Sequence, residues 1–323
     1  MALCRRACAL VIVLLAVAAF QSLAAAQAMP KVVKIVVPFS PGASNDVIAR
    51  ALAAGLAKRL DTTVIVENRP GAAGVIGADL VAKSPHDGSV LLLTSSSFLT
   101  AAATQAHVPY DAAVAFAPVA MIGQGPLVLA VSASSPYKST GDLLAAARAK
   151  PGELTYGTAG VGSVAHLATE LFDDAAKIRM THVPYKGAAN AVVDLASGQI
   201  DVMISSYSTL APMVKAGKVR PLAVTSAQPH PAFTELPTVA SVLPGYALDI
   251  WVAVLAPAGT PPALVDRLNK AINEISPSPD LAPILEPDGT VPSAVTPAAL
   301  AARFKDELGQ WKRVATNHKI VAE

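Results

Sequence analysis

The chain has 323 residues, with 25 Lys and Arg against 23 Asp and Glu, a formal net charge of +2. Apolar residues make up 53% and charged residues 15%, which excludes a disordered chain and suits a core of buried sheets. So small a net charge leaves no global field to draw the protein to nucleic acid or to an anionic membrane.

Arg5 and Arg6 precede an almost wholly apolar run from Ala9 to Phe20, and Ala26-Gln27-Ala28 puts small residues at a cleavage position. This pattern predicts a secretory leader over residues 1–28 with cleavage near Ala28, and a periplasmic mature chain. The apolar run is short for a membrane span, and an uncleaved anchor is the alternative. Both cysteines, Cys4 and Cys8, fall in this segment and ahead of the apolar run, where a lipid anchor is not placed. The mature chain would therefore lack disulfides and thiolate chemistry, and would be held together by its core alone. Without Arg5 and Arg6 its two charge signs balance. Its length suits two domains.

Short apolar runs then alternate with amphipathic stretches. A strand is expected over 34–37, and a helix over 47–60 with Ile48, Ala51, Leu52 and Leu56 on one face. Strands at 63–66 and 90–94 flank a helix at 75–83. This β-α-β-α-β order predicts a parallel sheet covered on both faces. A strand at 128–131 and a helix at 142–149, stopped by Pro151-Gly152, come next. The alternation repeats with strands at 154–156, 180–183, 200–204 and 221–225 and helices at 164–172, 188–197 and 209–216. Residues 226–248 carry several prolines and few periodic runs. A strand at 250–256, a helix at 262–275 and a last helix bearing Leu300, Phe304, Leu308 and Trp311 close the chain. These closing elements need a sheet to pack on. The expected division is residues 29–131 with 250–323 as one domain and 132–249 as the other, each a mostly parallel sheet flanked by helices.

Two glycine-containing corners join a strand to a helix. The first runs Phe39-Ser40-Pro41-Gly42-Ala43-Ser44-Asn45-Asp46, the second Thr158-Ala159-Gly160-Val161-Gly162-Ser163-Val164-Ala165-His166. Each leaves backbone N–H groups at a helix start, where the dipole favours an anion. In the first, Gly42 permits close backbone approach and Ser40, Ser44 and Asn45 offer short polar side chains; a plain helix cap by Ser44 or Asn45 explains the same residues. Asp46 would repel an anion from the cleft, so its expected role is to shape the loop. In the second, Gly160, Gly162 and Ser163 make the better carboxylate site. His166 either donates to the anion or packs. The dinucleotide pattern G-x-G-x-x-G is absent, since position 165 is alanine. A third corner, Gly71, Gly74 and Gly77, reads as close packing of helix on strand, with Glu67 and Arg69 bracing the turn. Ser95, Ser96 and Ser97 end one buried strand, and Ser205 and Ser206 another, at the edge where open parallel sheets bind ligands. Lys186 follows a strand end and either counters a carboxylate or is solvated.

Catalytic patterns are thin. The sequence has no G-x-S-x-G, no H-E-x-x-H, no metal-spaced histidines and no cysteine beyond the leader. No cofactor or metal is expected.

The pieces Val37-Pro38-Phe39 with Pro41-Gly42 and Asp46, Val66-Glu67-Asn68-Arg69-Pro70-Gly71-Ala72, Gly162-Ser163 with His166-Leu167, and His182-Val183-Pro184-Tyr185-Lys186-Gly187 resemble the tripartite tricarboxylate transporter substrate-binding proteins, or Bug receptors. Ala216-Gly217-Lys218-Val219-Arg220, Leu222-Ala223-Val224-Thr225-Ser226 and Leu255-Ala256-Pro257-Ala258-Gly259-Thr260-Pro261 fit too, so the resemblance spans nearly all of residues 31–315 in order. It implies a two-domain, Venus-flytrap (type II) periplasmic receptor, without catalysis, that closes on a small carboxylate and passes it to membrane permease subunits or serves a sensor. It also implies that the first corner contacts ligand. Phe39, Ser40, Gly42, Ala43, Ser44, Asn45, Asp46, Ser95, Ser96, Thr158, Ala159, Gly160, Gly162, Ser163, His166, Lys186 and Ser205 are the expected contacts. Two positions depart from the family pattern. Ala43 replaces a common glycine and would narrow the pocket, and Ser205 stands where aspartate or asparagine is frequent. A monomer is expected. The alternative is an exported α/β enzyme acting on a small acid, with His166 or Asp46 as acid or base.

Overall fold

The computed structural model describes residues 29–322; the expected leader and its cleavage position lie outside them. Among the described residues no helix is long and apolar enough to cross a membrane.

Two sheets organise the chain. The first contains β1 (Val32–Val37), β2 (Thr63–Asn68), β3 (Val90–Ser95), β4 (Phe116–Pro126), β10 (Asp249–Pro257) and β11 (Val291–Pro292), in the order β11-β4-β10-β3-β1-β2. The second contains β5 (Val128–Ser132), β6 (Thr155–Thr158), β7 (Thr181–Pro184), β8 (Val202–Ser205) and β9 (Val219–Val224), in the order β7-β6-β8-β5-β9. The strand at 128–132, grouped with the first unit by the expected boundary at 131, pairs in the second sheet with β8 and β9.

Both sheets are mixed, not mostly parallel. β1 runs parallel to β2 and β3, and β6 to β7 and β8. β10 is antiparallel to β3 and β4, and β5 to β8 and β9. The reason lies in the crossings. β4 carries the chain out of the first sheet and β10 brings it back, so these neighbours must run in opposite directions. β5 and β9 do the same for the second sheet.

The central strands are apolar on both faces, as strands covered on both sides must be. In β3, Leu91 and Leu93 enter one core layer and Leu92 the other, following the two-residue period of a strand. The first layer is closed by α1 (Ser44–Leu60), through Leu52 and Leu56, and by α8 (Pro262–Ile275), through Leu268 and Ile272. The opposite layer receives α10 (Pro297–Asn317), whose Leu300, Phe304, Leu308 and Trp311 are buried at helical spacing. There the indole N–H groups of Trp251 and Trp311 both donate to Glu307. α2 (Val75–Ala82), α3 (Ser97–Thr104) and the short α9 (Ala282–Leu285) complete the first unit. Around the second sheet lie α4 (Thr140–Ala149), α5 (Val164–Ala176), α6 (Ala188–Ser197) and α7 (Tyr207–Lys215).

The two crossings are tied at one residue. Thr225 is fully buried; its hydroxyl accepts from the Leu127 N–H at 2.8 Å and donates to the Leu248 carbonyl at 2.6 Å. Its backbone pairs with the same two residues, through Thr225 N–H to Leu127 O and Leu248 N–H to Thr225 O. One side chain thus bridges the outgoing and returning strands. Thr225→Val keeps the volume and deletes both hydroxyl bonds, leaving buried backbone groups unpaired. An expected loss of about 1–3 kcal/mol, read by urea unfolding, goes with a changed open-to-closed balance in small-angle scattering. Wild-type values in both would show that this knot carries no load.

Candidate functional site

β1 delivers the first corner to the carboxyl edge of its sheet. Gly42 takes φ +80°, and α1 starts at Ser44 with Ala43 as a cap that uses its carbonyl. Neither Ser44 nor Asn45 caps by its side chain. Asp46 shapes the loop instead. Its nearly buried carboxylate accepts from the Gly42 N–H at 2.8 Å, Asn68 Nδ2 at 2.9 Å and Arg50 Nε at 3.0 Å. Asn68 Nδ2 also donates to the Phe39 carbonyl. The Arg50 guanidinium and the Gly42 N–H hold the Asp46 carboxyl down at about 2. A depressed carboxyl contributes stability above its unfolded value, near 4, and loses it as the pH falls towards 2. Asp46→Ala leaves the Gly42 N–H and the Asn68 amide unpaired. It should cost about 1–3 kcal/mol at pH 7, and the difference from wild type should shrink as unfolding curves are taken towards pH 2. An undiminished difference there would show that the loss is one of packing, not of charge.

In the second corner Gly160 and Gly162 adopt φ +126° and +75°. Ser163 caps α5, its Oγ accepting from the His166 N–H at 3.3 Å. The Val164 and Ala165 N–H groups have no acceptor among the described residues. The buried His166 ring points inward; its Nδ1 accepts from the Gly162 N–H at 3.2 Å, and it stacks on His182 with centroids 3.8 Å apart. His182 stacks in turn on Tyr156, and its Nε2 meets Thr158 Oγ1 at 2.7 Å. Burial pushes the His182 imidazole down to about 4, so it is neutral at pH 7. These rings brace the corner from behind. Farther back, His318 at the end of α10 reaches Glu170 and Asp174 of α5, at 2.8 and 3.0 Å, and ties helices of the two units together. Asp173 beside them is buried, with Oδ2 accepting from the Met180 N–H and Oδ1 unpartnered.

The two corners face each other across a cavity of about 350 Å³. Its walls are Pro38, Phe39 and Ser40 of the first corner; Ala159, Val161, Gly162, Ser163 and Val164 of the second; Ser97, Thr100 and Gln105 from α3 and its end; and Pro70, Gly71, Ala73 and Gly74. A second cavity of about 220 Å³ shares Ala159, Ser163 and Val164 with it and is lined further by Ser95, Ser96, Leu127, Ala165, Ala188, Ser205, Ser206, Thr209 and Ile250.

Of the expected contacts, Phe39, Ser40, Ser95, Ser96, Ala159, Gly162, Ser163 and Ser205 line these cavities. Gly42, Ala43, Ser44, Asn45, Asp46, Thr158, Gly160, His166 and Lys186 do not. The Ala43 methyl therefore does not narrow the space, and Lys186 is exposed to solvent. Thr158 and His166 are occupied by the ring stack, and Asp46 by the loop. Ser96 has a structural duty as well, since its Oγ accepts from the Trp251 N–H at 2.9 Å. The third corner does more than pack. Gly77 does serve close packing, for a Cβ there would lie 2.8 Å from the Arg69 carbonyl and 2.9 Å from Pro38 Cβ. Arg69 pairs with Glu67 as expected. Gly71, Ala73 and Gly74, however, form cavity wall, and Ala72 and Ala73 hold left-handed φ of +46° and +52°. Such strain costs an alanine about 1–2 kcal/mol. The available signal was position: this loop ends β2 at the same carboxyl edge as the first corner.

Known proteins place the chain. A family model described as the tripartite tricarboxylate transporter family receptor matches residues 48–320. Protein BugT of Bordetella pertussis is 37% identical over 285 residues, covering 87% of this chain and 87% of that protein. A solved R. palustris protein with adipate is 36% identical, with a TM-score of 0.76 over 90% of this chain and 98% of that one. MatC from Rhodopseudomonas palustris, with bound malate, is 28% identical, with a TM-score of 0.73 over 88% of this chain and 98% of that one. Neither Asp46 nor His166 reaches the cavity as an acid or base, and the family is one of receptors, not enzymes. This chain belongs to the tripartite tricarboxylate transporter receptor family, the periplasmic solute-binding proteins of the Bug type.

Proposed function

We propose that this receptor captures a small carboxylate between two units, residues 29–126 with 249–322 and residues 127–248, and hands it to the membrane permease of a tripartite tricarboxylate-type transporter. The observation that carries the reading is the cavity walled on one side by the end of β1 and on the other by the start of α5, where the Val164 and Ala165 N–H groups and the helix dipole favour an anion. Phe39 and Ser40 close over the opposite side. Closure removes water, and in the drier cleft each charge–dipole contact strengthens. The relatives solved with adipate and malate support a carboxylate as the ligand class, and the family's periplasmic receptors, with the leader pattern of residues 1–28, support a periplasmic site of action.

The test is a thermal-shift screen of the mature chain against a panel of carboxylates. A saturable rise in Tm is expected, corresponding to about 2.7 kcal/mol at a hundredfold excess over Kd, with the ligand recovered unchanged. Chemical turnover, or no stabilisation by any carboxylate, would overturn the proposal.

A further inference from the structure

We infer that ligand binding by this receptor is coupled to the uptake of a proton at His318, which latches the two units together when they close. The inference rests on the closure reading above and concerns what closure does besides trapping the ligand.

His318 ends α10 in the first unit, and its ring reaches across to α5 in the second. Nδ1 lies 2.8 Å from Glu170 Oε2, and Nε2 lies 3.0 Å from Asp174 Oδ1. Only the imidazolium carries an N–H on both nitrogens; a neutral ring would set a lone pair against one of the two carboxylates. The contact therefore calls for the charged ring, and the negative end of the α10 dipole favours the same form.

The contact belongs to closure. α10 passes the returning crossing where Glu307 accepts from the Trp251 indole. His318 lies about three helical turns farther along, roughly 16 Å, so a rotation of the units about the crossings moves it. The tail beyond it enters the seam, where the Ala322 N–H donates to the Thr104 carbonyl and a Cβ at Gly162 would lie 3.1 Å from Ala322 Cβ. A path also runs from the latch to the second corner. Glu170 Oε1 faces His166 Nε2 at 3.7 Å, and His166 Nδ1 accepts from the Gly162 N–H.

Around the ring lie Glu170, Asp173 and Asp174 of α5, Arg179 beyond it and His182 of β7. Arginine carries a fixed charge, and burial keeps His182 neutral at about 4. Asp173, which burial lifts to about 7, titrates in the same range as a histidine, but its bond from the Met180 N–H lies wholly within the second unit. Its charge at high pH favours the imidazolium and so flattens the fall described next. Histidine titrates between about pH 5 and 8. A proton held more firmly in the closed form than in the open one makes affinity highest at low pH and lowers it as the ring deprotonates. The ring is 26% exposed and Asp174 46%, so water screens the pair, and the expected fall is about three- to tenfold from pH 5.5 to 8.

Calorimetric titration of the mature protein with adipate and with malate, over this range and in two buffers of different ionisation enthalpy, reads the affinity and the protons taken up together. Net uptake near pH 7 is expected for whichever acid binds. His318→Gln, folded by circular dichroism, should bind at every pH as wild type does at pH 8, without the uptake. His318→Arg keeps the charge and should hold the affinity that wild type has at pH 5.5, with a flat profile. Comparison on one acid cancels the acid's own ionisation. A slope and an uptake that persist unchanged in His318→Gln would overturn the inference and leave the carboxylate receptor standing. If neither acid binds, the failure lies with the ligand reading, and small-angle scattering of the unliganded protein tests the latch. Its closed fraction should fall from pH 5.5 to 8 in wild type and stay level in His318→Arg; equal profiles would overturn the inference.

Discussion

Gly162→Val should give a folded protein that binds its ligand about 5- to 100-fold more weakly. Gly162 sits at φ +75°, and a Cβ built there lies 2.5 Å from Thr104 Oγ1 and 3.1 Å from Ala322 Cβ. These atoms belong to the other unit, so the residue occupies a seam between the units. The seam cannot easily give. Thr104 Oγ1 donates to the Thr100 carbonyl, and the Ala322 N–H donates to the Thr104 carbonyl. A β-branched residue in left-handed backbone costs about 1–3 kcal/mol, which weakens the fold in either arrangement of the units. Overpacking costs a further ~1–3 kcal/mol, and that part falls on the closed arrangement alone. At 1.4 kcal/mol per tenfold, the second cost is the one that reduces affinity. A valine here acts as a wedge in the seam. Gly162→Ala should show a smaller loss of the same kind. Titration of the variants with whichever acid stabilises the wild type decides the matter, and wild-type affinity in Gly162→Val would mean that closure does not use this seam.

Asp173→Asn should stabilise the protein at pH 8, against the usual direction of core substitutions. Burial, with some help from the Glu170 charge, pushes the Asp173 carboxyl up to about 7. The folded protein therefore holds this proton more tightly than the unfolded chain does. A group of this kind favours folding below pH 4, loses that contribution as the pH rises from about 4 to 7, and costs a constant amount above. The full difference is on the order of 4 kcal/mol. Asparagine removes the charge and keeps an oxygen for the Met180 N–H. Its amide finds no acceptor where Oδ1 was unpartnered, which subtracts from the gain. A net gain of about 2 kcal/mol at pH 8, absent at pH 4, is the expected result of urea unfolding at the two values. The nearby Glu170 carboxyl opposes this slope. Burial alone would raise it, but hydrogen bonds from His166 and Tyr156 and the His318 charge hold it below its ordinary value. Equal destabilisation of the variant at pH 4 and pH 8 would mean that Asp173 acts through geometry and not through charge.

Much of the fold was legible because strong periodicity survives burial. The helix expected over 262–275 is Pro262–Ile275, and that over 188–197 is Ala188–Ser197. β4 was missed. Its Gly123 and Gly125 read as breakers, yet a Cβ at either would meet the Val291 or Gly289 carbonyl at 2.7 to 2.8 Å, so glycine is what lets that neighbouring chain approach. The helix after Ser96 was missed because its serines resemble a loop. In the site, glycine corners announced themselves by composition. Which of their residues face the cavity did not, since that depends on where Asp46 and the His166 ring turn, and both turn inward. Lys186 looked suitable by charge and by position after a strand, and only the path of the chain beyond β7 leaves it in solvent.

The place of β10 between β3 and β4 has a consequence for the order of events during folding. β3 and β4 are never neighbours; each pairs with β10, which begins at Asp249, after the whole second sheet. A chain growing or emerging from its N-terminus thus holds two facing strand edges with nothing between them until more than a hundred further residues have appeared. Such edges are sticky, and distant pairings are slow to form. Pulse-labelled hydrogen exchange should find the amides of β6 and β8 protected before those of β4. Simultaneous protection would mean that the two sheets form as one. The gap in the first sheet thus stays open until the last quarter of the sequence arrives to fill it.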